Sequence, residues 1–469
     1  MYLFQNEKSY GDRLLAEDDC GNKVSYEDLD SFAEELYGHT RGKTLIFILC
    51  ENTIGSLMGY LGCLKTGVVP LMLEKQINQE LLDRLINEYH PTFLYVPRDS
   101  LLKAKECEIV WETKGYYLCQ RREKQSTSLY GELALLLTTS GSTGSPKLVR
   151  QSKGNMEANA ESICNYLNIH EKERPVTTLP MNYTYGLSII NSHVKKGAAL
   201  LLTTKSMVEQ PFWDFVREKR ATSFGGVPYT YQVLKRIGFL EMNLPDLKIM
   251  TQAGGKLSLN LHKEFASYAK DRGKQFVVMY GQTEATARMG YLPASKAIER
   301  CGSMGIAIPG GRFWLEDDKN EEITEPEIQG ELVYQGENVA LGYACCLDDL
   351  IKEDEWKGVL HTGDMAKRDS DGYYYITGRK KRFIKLFGNR VNLDEVERLL
   401  KDQFEGVDFA CAGRDDSLKI YTDMRQEGLL KILDYFYEMT GINSRAVQIQ
   451  HLDKIPKNEA GKTLYSEID

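Results

Sequence analysis

The chain has no C-x-x-C and no H-x-x-x-H. Its ten cysteines and seven histidines are scattered, and the adjacent Cys345 and Cys346 cannot make a metal site alone. Cysteines without spacing logic in a chain this long read as reduced thiols of a cytoplasmic protein. No apolar run approaches the ~20 residues a membrane span needs. The first residues lack the basic start and long apolar core of a signal peptide. Basic charge is not in excess either: the formal net charge is −8, with both signs interspersed. That removes the electrostatic footprint of a nucleic-acid binder and of docking to anionic membranes. No internal repeat and no low-complexity segment is present.

What is there is ordinary for a globular protein, with 42% hydrophobic and 27% charged residues. At 469 residues the chain exceeds one core, so two or three domains are expected. Apolar runs at 44–50, 67–72 and 92–96 alternate with helical spacing at 52–65 and 80–89. The rhythm continues with strands expected at 176–179, 198–203, 223–227, 248–252 and 276–280, and helices at 155–167, 187–194 and 212–219. Such alternation predicts parallel sheets covered by helices. From Gly310 short strands separated by turns take over, at 312–316, 330–334 and 373–377. After Gly378-Arg379-Lys380-Lys381-Arg382 a compact α+β tail follows.

Six stretches carry chemical potential. The apolar run Leu135-Leu136-Leu137 feeds Thr138-Thr139-Ser140-Gly141-Ser142-Thr143-Gly144-Ser145-Pro146-Lys147. Glycines let backbone N–H groups turn toward an anion, hydroxyls add donors and Lys147 adds a point charge. This composition suits a polyphosphate cradle or a polar surface turn. It is not a Walker A loop, because Pro146 precedes the lysine and Leu148 follows it. Gln252-Ala253-Gly254-Gly255-Lys256 is either a site where backbone meets a flat ligand or a strand–helix turn. Tyr280-Gly281-Gln282-Thr283-Glu284 offers an aromatic face, a hydroxyl and a Mg²⁺-binding carboxylate, or a capped turn. In His361-Thr362-Gly363-Asp364 a carboxylate after a tight turn can take both hydroxyls of a ribose, or simply sit in the turn. The basic run at 378–382 reads as a solvated face or a linker. Pro456-Lys457-Asn458-Glu459-Ala460-Gly461-Lys462 ends in a lysine close to the C-terminus.

In this order the stretches resemble the adenylate-forming superfamily, which includes acyl-CoA synthetases, non-ribosomal peptide adenylation domains and beetle luciferases. The resemblance runs from about Val24 to Lys462 and rests on the combination, since no single motif is specific. It implies an α/β fold: a large N-terminal domain of stacked mixed and parallel sheets covered by helices (1–380, with a β-rich subdomain at about 310–378), then a small mobile α+β C-terminal domain (382–469). Lys381 falls at the hinge. The implied activity joins a carboxylate to ATP, giving acyl-AMP and pyrophosphate, and then passes the acyl group to CoA or to a carrier-protein phosphopantetheine. By resemblance Thr139, Ser140, Gly141, Ser142, Thr143, Gly144 and Lys147 hold the β- and γ-phosphates, Thr283 contacts the α-phosphate and Glu284 holds Mg²⁺. Gly254, Gly255, Tyr280 and Gly281 line adenine, Asp364 and Arg379 bind ribose, and Lys462 bridges the substrate carboxylate and the α-phosphate.

Leu179-Pro180-Met181-Asn182-Tyr183-Thr184-Tyr185-Gly186 aligns with the acid-binding stretch of acyl-CoA synthetases. Tyr183 stands at the aromatic gate. Thr184 stands where α-amino-acid-activating relatives carry Asp, so an α-ammonium group would be poorly paired. This favours a neutral acyl or aryl acid. Further lining is expected from 225–229 and 285–289, where the bulk of Tyr229 and Met289 points to a short pocket. A stand-alone enzyme loading an amino or acyl acid onto an acyl carrier protein is the alternative. A luciferase-like oxygenase has no supporting residues. A non-catalytic nucleotide-binding protein is disfavoured because both Lys462 and Glu284 are present.

Overall fold

A computed structural model describes residues 10–103, 107–122, 128–138, 147–380, 382–386, 389–414, 416–425, 428–440, 444–457 and 463–468. Its centre is an eight-stranded sheet. Leu45–Cys50 reads LIFILC and is buried along its whole length, so it sits between two neighbours with both faces covered. Val69–Glu74 and Phe93–Pro97 flank it in parallel, and Leu133–Thr138 follows in parallel beyond Val69–Glu74. The sheet turns antiparallel at both margins. One margin carries the hairpin Cys107–Thr113 and Tyr116–Arg121, and the other carries Leu148–Ser152 and Gly342–Ala344. Helix Ile54–Thr66 starts at Thr53, whose side chain accepts from the Ser56 N–H, and ends at Gly67. Its small residues let it lie close to the sheet: a Cβ on Gly59 would come within 2.4 Å of the Tyr95 ring.

A second sheet of five strands holds the site. Ser223–Gly226, Ile249–Gln252 and Gln275–Tyr280 run parallel, and Gly290–Leu292 and Ile306–Ala307 continue antiparallel. Its core is aromatic, with Phe224, Tyr231, Phe239, Phe265 and Phe276 packed in one cluster. Residues 176–179 do not form the expected strand; Pro175 and Val176 make only isolated bridges, to Ser223 and Leu201. Prolines at 175 and 180 remove N–H donors at both ends of that segment.

The β-rich subdomain is a four-stranded antiparallel sheet in the order Arg312–Glu316, Gln329–Gln335, Val359–Arg368, Tyr374–Arg379. The C-terminal unit has its own core, with helices Leu393–Gln403 and Leu429–Thr440 against the strands Phe409–Arg414, Ser417–Thr422 and Val447–His451. Within it, Arg382 pairs with Asp394 and Glu397, and the Tyr465 hydroxyl donates to Glu397 at 2.9 Å. Among the described residues no helix is long and apolar enough to cross a membrane.

Candidate active site

Parallel strands deliver their carboxyl ends to one edge. Gly226 stands opposite Gln252, and Gln252 opposite Val278, so residues 253–254 and 280–281 leave the sheet side by side. Open α/β sheets bind ligands at that edge. Here it opens a cavity lined by Ala253, Gly254, Tyr280, Gly281, Ala287 and Arg288, and by Tyr183, Thr184 and Tyr185 from the start of helix Thr184–Lys195. Residues expected at adenine and residues expected at the acid therefore share one space. Burial pushes the Tyr183 phenol up to about 12, so it stays protonated and can donate. Gly254 leaves room for that hydroxyl, which a Cβ would approach to 2.4 Å. Gly281 is dictated by backbone, since a Cβ there would lie 1.5 Å from the Ala287 carbonyl oxygen.

Two expected lining residues are elsewhere. Tyr229 sits in the first turn of helix Pro228–Arg236 and is 48% exposed, because that helix turns Tyr231 and Leu234 inward instead. Met289 is fully buried in the cluster shared with the β-rich subdomain. Neither shortens the cavity. Gly255 packs beside the Pro228 ring and does not line it.

Asp364 is not in a turn. It lies within the ten-residue strand Val359–Arg368, at an irregularity opposite Glu331 and Val333. Gly363, at φ +69, takes up the distortion. The Asp364 carboxylate is buried and accepts from the Tyr280 hydroxyl at 2.5 Å and from Gln282 Nε2 at 2.9 Å. Arg379 Nε approaches Oδ1 at 3.3 Å from the paired strand. Burial holds the Asp364 pKa above the usual carboxylate range, against the pull of Arg379 and the two donors. Gln282 was not anticipated as a contributor, and it also donates to the Thr362 carbonyl at 3.1 Å.

The other end of the 280–284 segment faces a second charged group. The Tyr343 hydroxyl donates to Glu284 Oε1 at 2.8 Å, and Lys147 Nζ stands 3.2 Å from the Tyr343 ring centroid. Tyr343 thus joins the last residue of the hydroxyl-rich loop to the carboxylate of the Tyr-Gly-Gln-Thr-Glu segment, a contact no sequence signal announces. Its strand, Gly342–Ala344, is fastened by fully buried Arg150, which pairs with Glu355 and donates to the carbonyls of Tyr343, Leu341, Lys352 and Glu353. Thr283 opens the short turn Thr283–Ala285. Gln151 Nε2 donates to the Thr283 carbonyl at 3.1 Å and the Ala340 N–H to the Glu284 carbonyl at 2.9 Å, so the turn is clamped by its backbone.

Thr139, Ser140, Gly141, Ser142, Thr143, Gly144, Lys381 and Lys462 lie outside the described residues. Among those described, no three His, Cys, Asp or Glu side chains form a metal cage. Glu284 nevertheless fits Mg²⁺, which is held by one or two carboxylates plus substrate phosphates rather than by an all-protein shell.

A family model described as AMP-binding enzyme matches residues 4–344. The 2-succinylbenzoate–CoA ligase of Oceanobacillus iheyensis is 26% identical over 417 residues, which cover 85% of this chain and 82% of that protein. The L-proline–L-prolyl-carrier protein ligase of Pseudomonas fluorescens is 29% identical over 275 residues, covering 57% and 53%. Among solved structures, O-succinylbenzoate coenzyme A synthetase (MenE) of Bacillus subtilis, in complex with ATP and magnesium ion, shares the fold with a TM-score of 0.78 at 22% identity, covering 99% of this chain and 98% of that one.

Proposed function

The chain belongs to the family of AMP-binding enzymes, and on that premise we propose that it is an AMP-forming acid–thiol ligase. One observation carries the reading. The five residues 280–284 tie the buried ribose-type acceptor Asp364, through Tyr280 and Gln282, to the phosphate-side group of Glu284, Tyr343 and Lys147. A nucleotide laid along that segment has its sugar at one end and its phosphates at the other.

In the first half-reaction a carboxylate oxygen of the acid attacks the α-phosphorus of ATP, and the bond to pyrophosphate breaks. No general base is needed, because the acid is already ionised at neutral pH. The barrier is the meeting of two anions, which cations placed where charge builds can lower. Lys462 takes that place between carboxylate and α-phosphate, with Thr283 on the α-phosphate. The loop 139–144 and Lys147 hold the leaving pyrophosphate. Mg²⁺, held by Glu284 and the phosphates, supplies charge neutralisation. Gly254, Tyr280 and Gly281 surround adenine, Asp364 and Arg379 take the ribose, and Tyr183 and Thr184 meet the acid. In the second half-reaction a thiol, on CoA or on a carrier-protein phosphopantetheine, attacks the acyl carbon and AMP leaves. The unit 382–469 turns about Lys381 between the two steps.

The test is a pyrophosphate–ATP exchange screen over a panel of carboxylic acids with Mg²⁺, followed by addition of CoA or a holo-carrier protein. Exchange that depends on one acid class, with AMP as the product, is the expected result. ATP binding without exchange for any acid would make the chain a nucleotide-binding protein only.

A further inference from the structure

The cavity ends on a cation that none of these roles uses. Arg288 lines it next to Thr184 and Tyr185 and is only 2% exposed. Its backbone is fixed, since the Arg288 carbonyl accepts from Asn159 Nδ2 at 2.8 Å and from Asn338 Nδ2 at 3.1 Å. Its side chain is fixed as well. Nε donates to Ser188 Oγ at 3.0 Å, and Nη1 to the Tyr166 hydroxyl at 3.1 Å and Met279 Sδ at 3.3 Å. The guanidinium carbon is 5.1 Å from the Tyr185 ring centroid.

Every one of these partners is neutral. A guanidinium has five N–H donors in a fixed fork, and both donors on Nη2 lack an acceptor among the described residues. No carboxylate among them pairs with Arg288 either. Charged side chains this buried are almost always paired. Arg150 shows the usual solution, with Glu355 and four carbonyls around it. The hydroxyls and ring around Arg288 orient the cation without neutralising it, and leave a two-donor edge at the cavity.

We propose that Arg288 receives a second carboxylate of the acid substrate, so that the enzyme activates a dicarboxylic acid: one carboxylate is adenylated and the other is held by the guanidinium edge. The proposal rests on the acid-activation reading above and replaces the neutral acid that the Thr184 alignment suggested. It keeps the exclusion of α-amino acids and strengthens it, since Arg288 repels an ammonium group in the same cavity.

The experiment compares matched pairs, butyrate with succinate and glutarate, and benzoate with phthalate and 2-carboxyphenylpropionate. It reads exchange kcat/KM for each acid, and in parallel calorimetric binding of each acid to the enzyme–AMP complex. The wild type is expected to favour a diacid over its monoacid by roughly 10- to 100-fold, the range of a hydrogen bond to a charged group. Arg288→Met removes that preference by raising the diacid KM far more than it changes the monoacid or ATP parameters. Arg288→Lys retains part of it and controls for folding. Exchange and binding of monoacids in preference to diacids, with Arg288→Met lowering both alike, overturn the proposal while leaving acid activation standing. Arg288-dependent diacid binding without exchange upholds the proposal and overturns adenylation. No binding and no exchange with any acid overturns both.

Discussion

Asp364→Asn separates what the ribose acceptor does for function from what it costs the fold. Asp364 is 6% exposed, its carboxylate accepts from Tyr280 at 2.5 Å and Gln282 at 2.9 Å, and Arg379 Nε lies 3.3 Å from it. Even so, burial raises its pKa. The folded state therefore holds the proton more tightly than the unfolded chain does. Stability falls as pH rises from the ordinary Asp value through the folded pKa. Asparagine keeps an oxygen for Tyr280 and Gln282 but carries no charge. It loses only an ion pair with Arg379, whose side chain is 63% exposed, and such pairs contribute little. The variant should melt at or above the wild-type temperature at pH 7, and the gap should close as the pH is lowered. Binding moves the other way. A ribose diol gives two hydrogen bonds to a charged acceptor, each worth about 1.5–3 kcal/mol, and neutralising the acceptor forfeits roughly half of the sum. A loss of about 1.5–3 kcal/mol weakens ATP roughly 10- to 150-fold. Calorimetry with ATP and 2′-deoxy-ATP reads this directly, and the variant should distinguish them less than the wild type does. A lower melting temperature at pH 7 together with ATP affinity within about threefold of wild type would refute both halves of the reasoning.

Tyr343→Phe takes the donor from Glu284 but keeps a ring under Lys147; the Mg²⁺ concentration for half-maximal exchange should rise roughly 10-fold with little change in melting temperature. A purely structural tyrosine would lower the melting temperature and leave the Mg²⁺ response alone. Lys462→Ala should cripple exchange while ATP binding and stability stay as they are, and near-normal exchange would remove Lys462 from the adenylation step. Lys381→Pro should spare exchange and block thioester formation, whereas equal loss of both would count against a hinge there.

The contrast between Tyr280 and Asp364 explains which parts of the site could be read from the sequence. The Tyr-Gly-Gln-Thr-Glu segment follows Gln275–Tyr280, an apolar run whose strand character is local, so both the strand and the residues at its end were legible. Thr362-Gly363-Asp364 breaks the alternation of its strand, and a Thr-Gly-Asp sequence alone is indistinguishable from a turn. Only the partner strands Gln329–Gln335 and Tyr374–Arg379, which supply its hydrogen bonds, make it extended. Tyr229 fails in the opposite sense: it follows a strand end and a proline, as a pocket residue would, yet the face of a nine-residue helix decides its direction.

Tyr343 has no local signal, and Arg288 has only its place within 285–289, the stretch expected to line the pocket. The value of Tyr343 lies in two contacts, with Glu284 across 59 residues and with Lys147 just before the neighbouring strand. What singles Arg288 out within 285–289 is that the tertiary structure buries it and gives it no anion among the described residues. The same argument applies to both buried charges of the cavity region. Asp364 has a partial set of partners and a raised pKa, and a ribose diol would complete that set. Among the described residues Arg288 has only neutral partners, so its missing one is assigned to the acid. Charge left unsatisfied by the fold is the part of a binding site that a motif cannot encode, because a motif records which residues are present and not which of them the folded chain leaves without a partner.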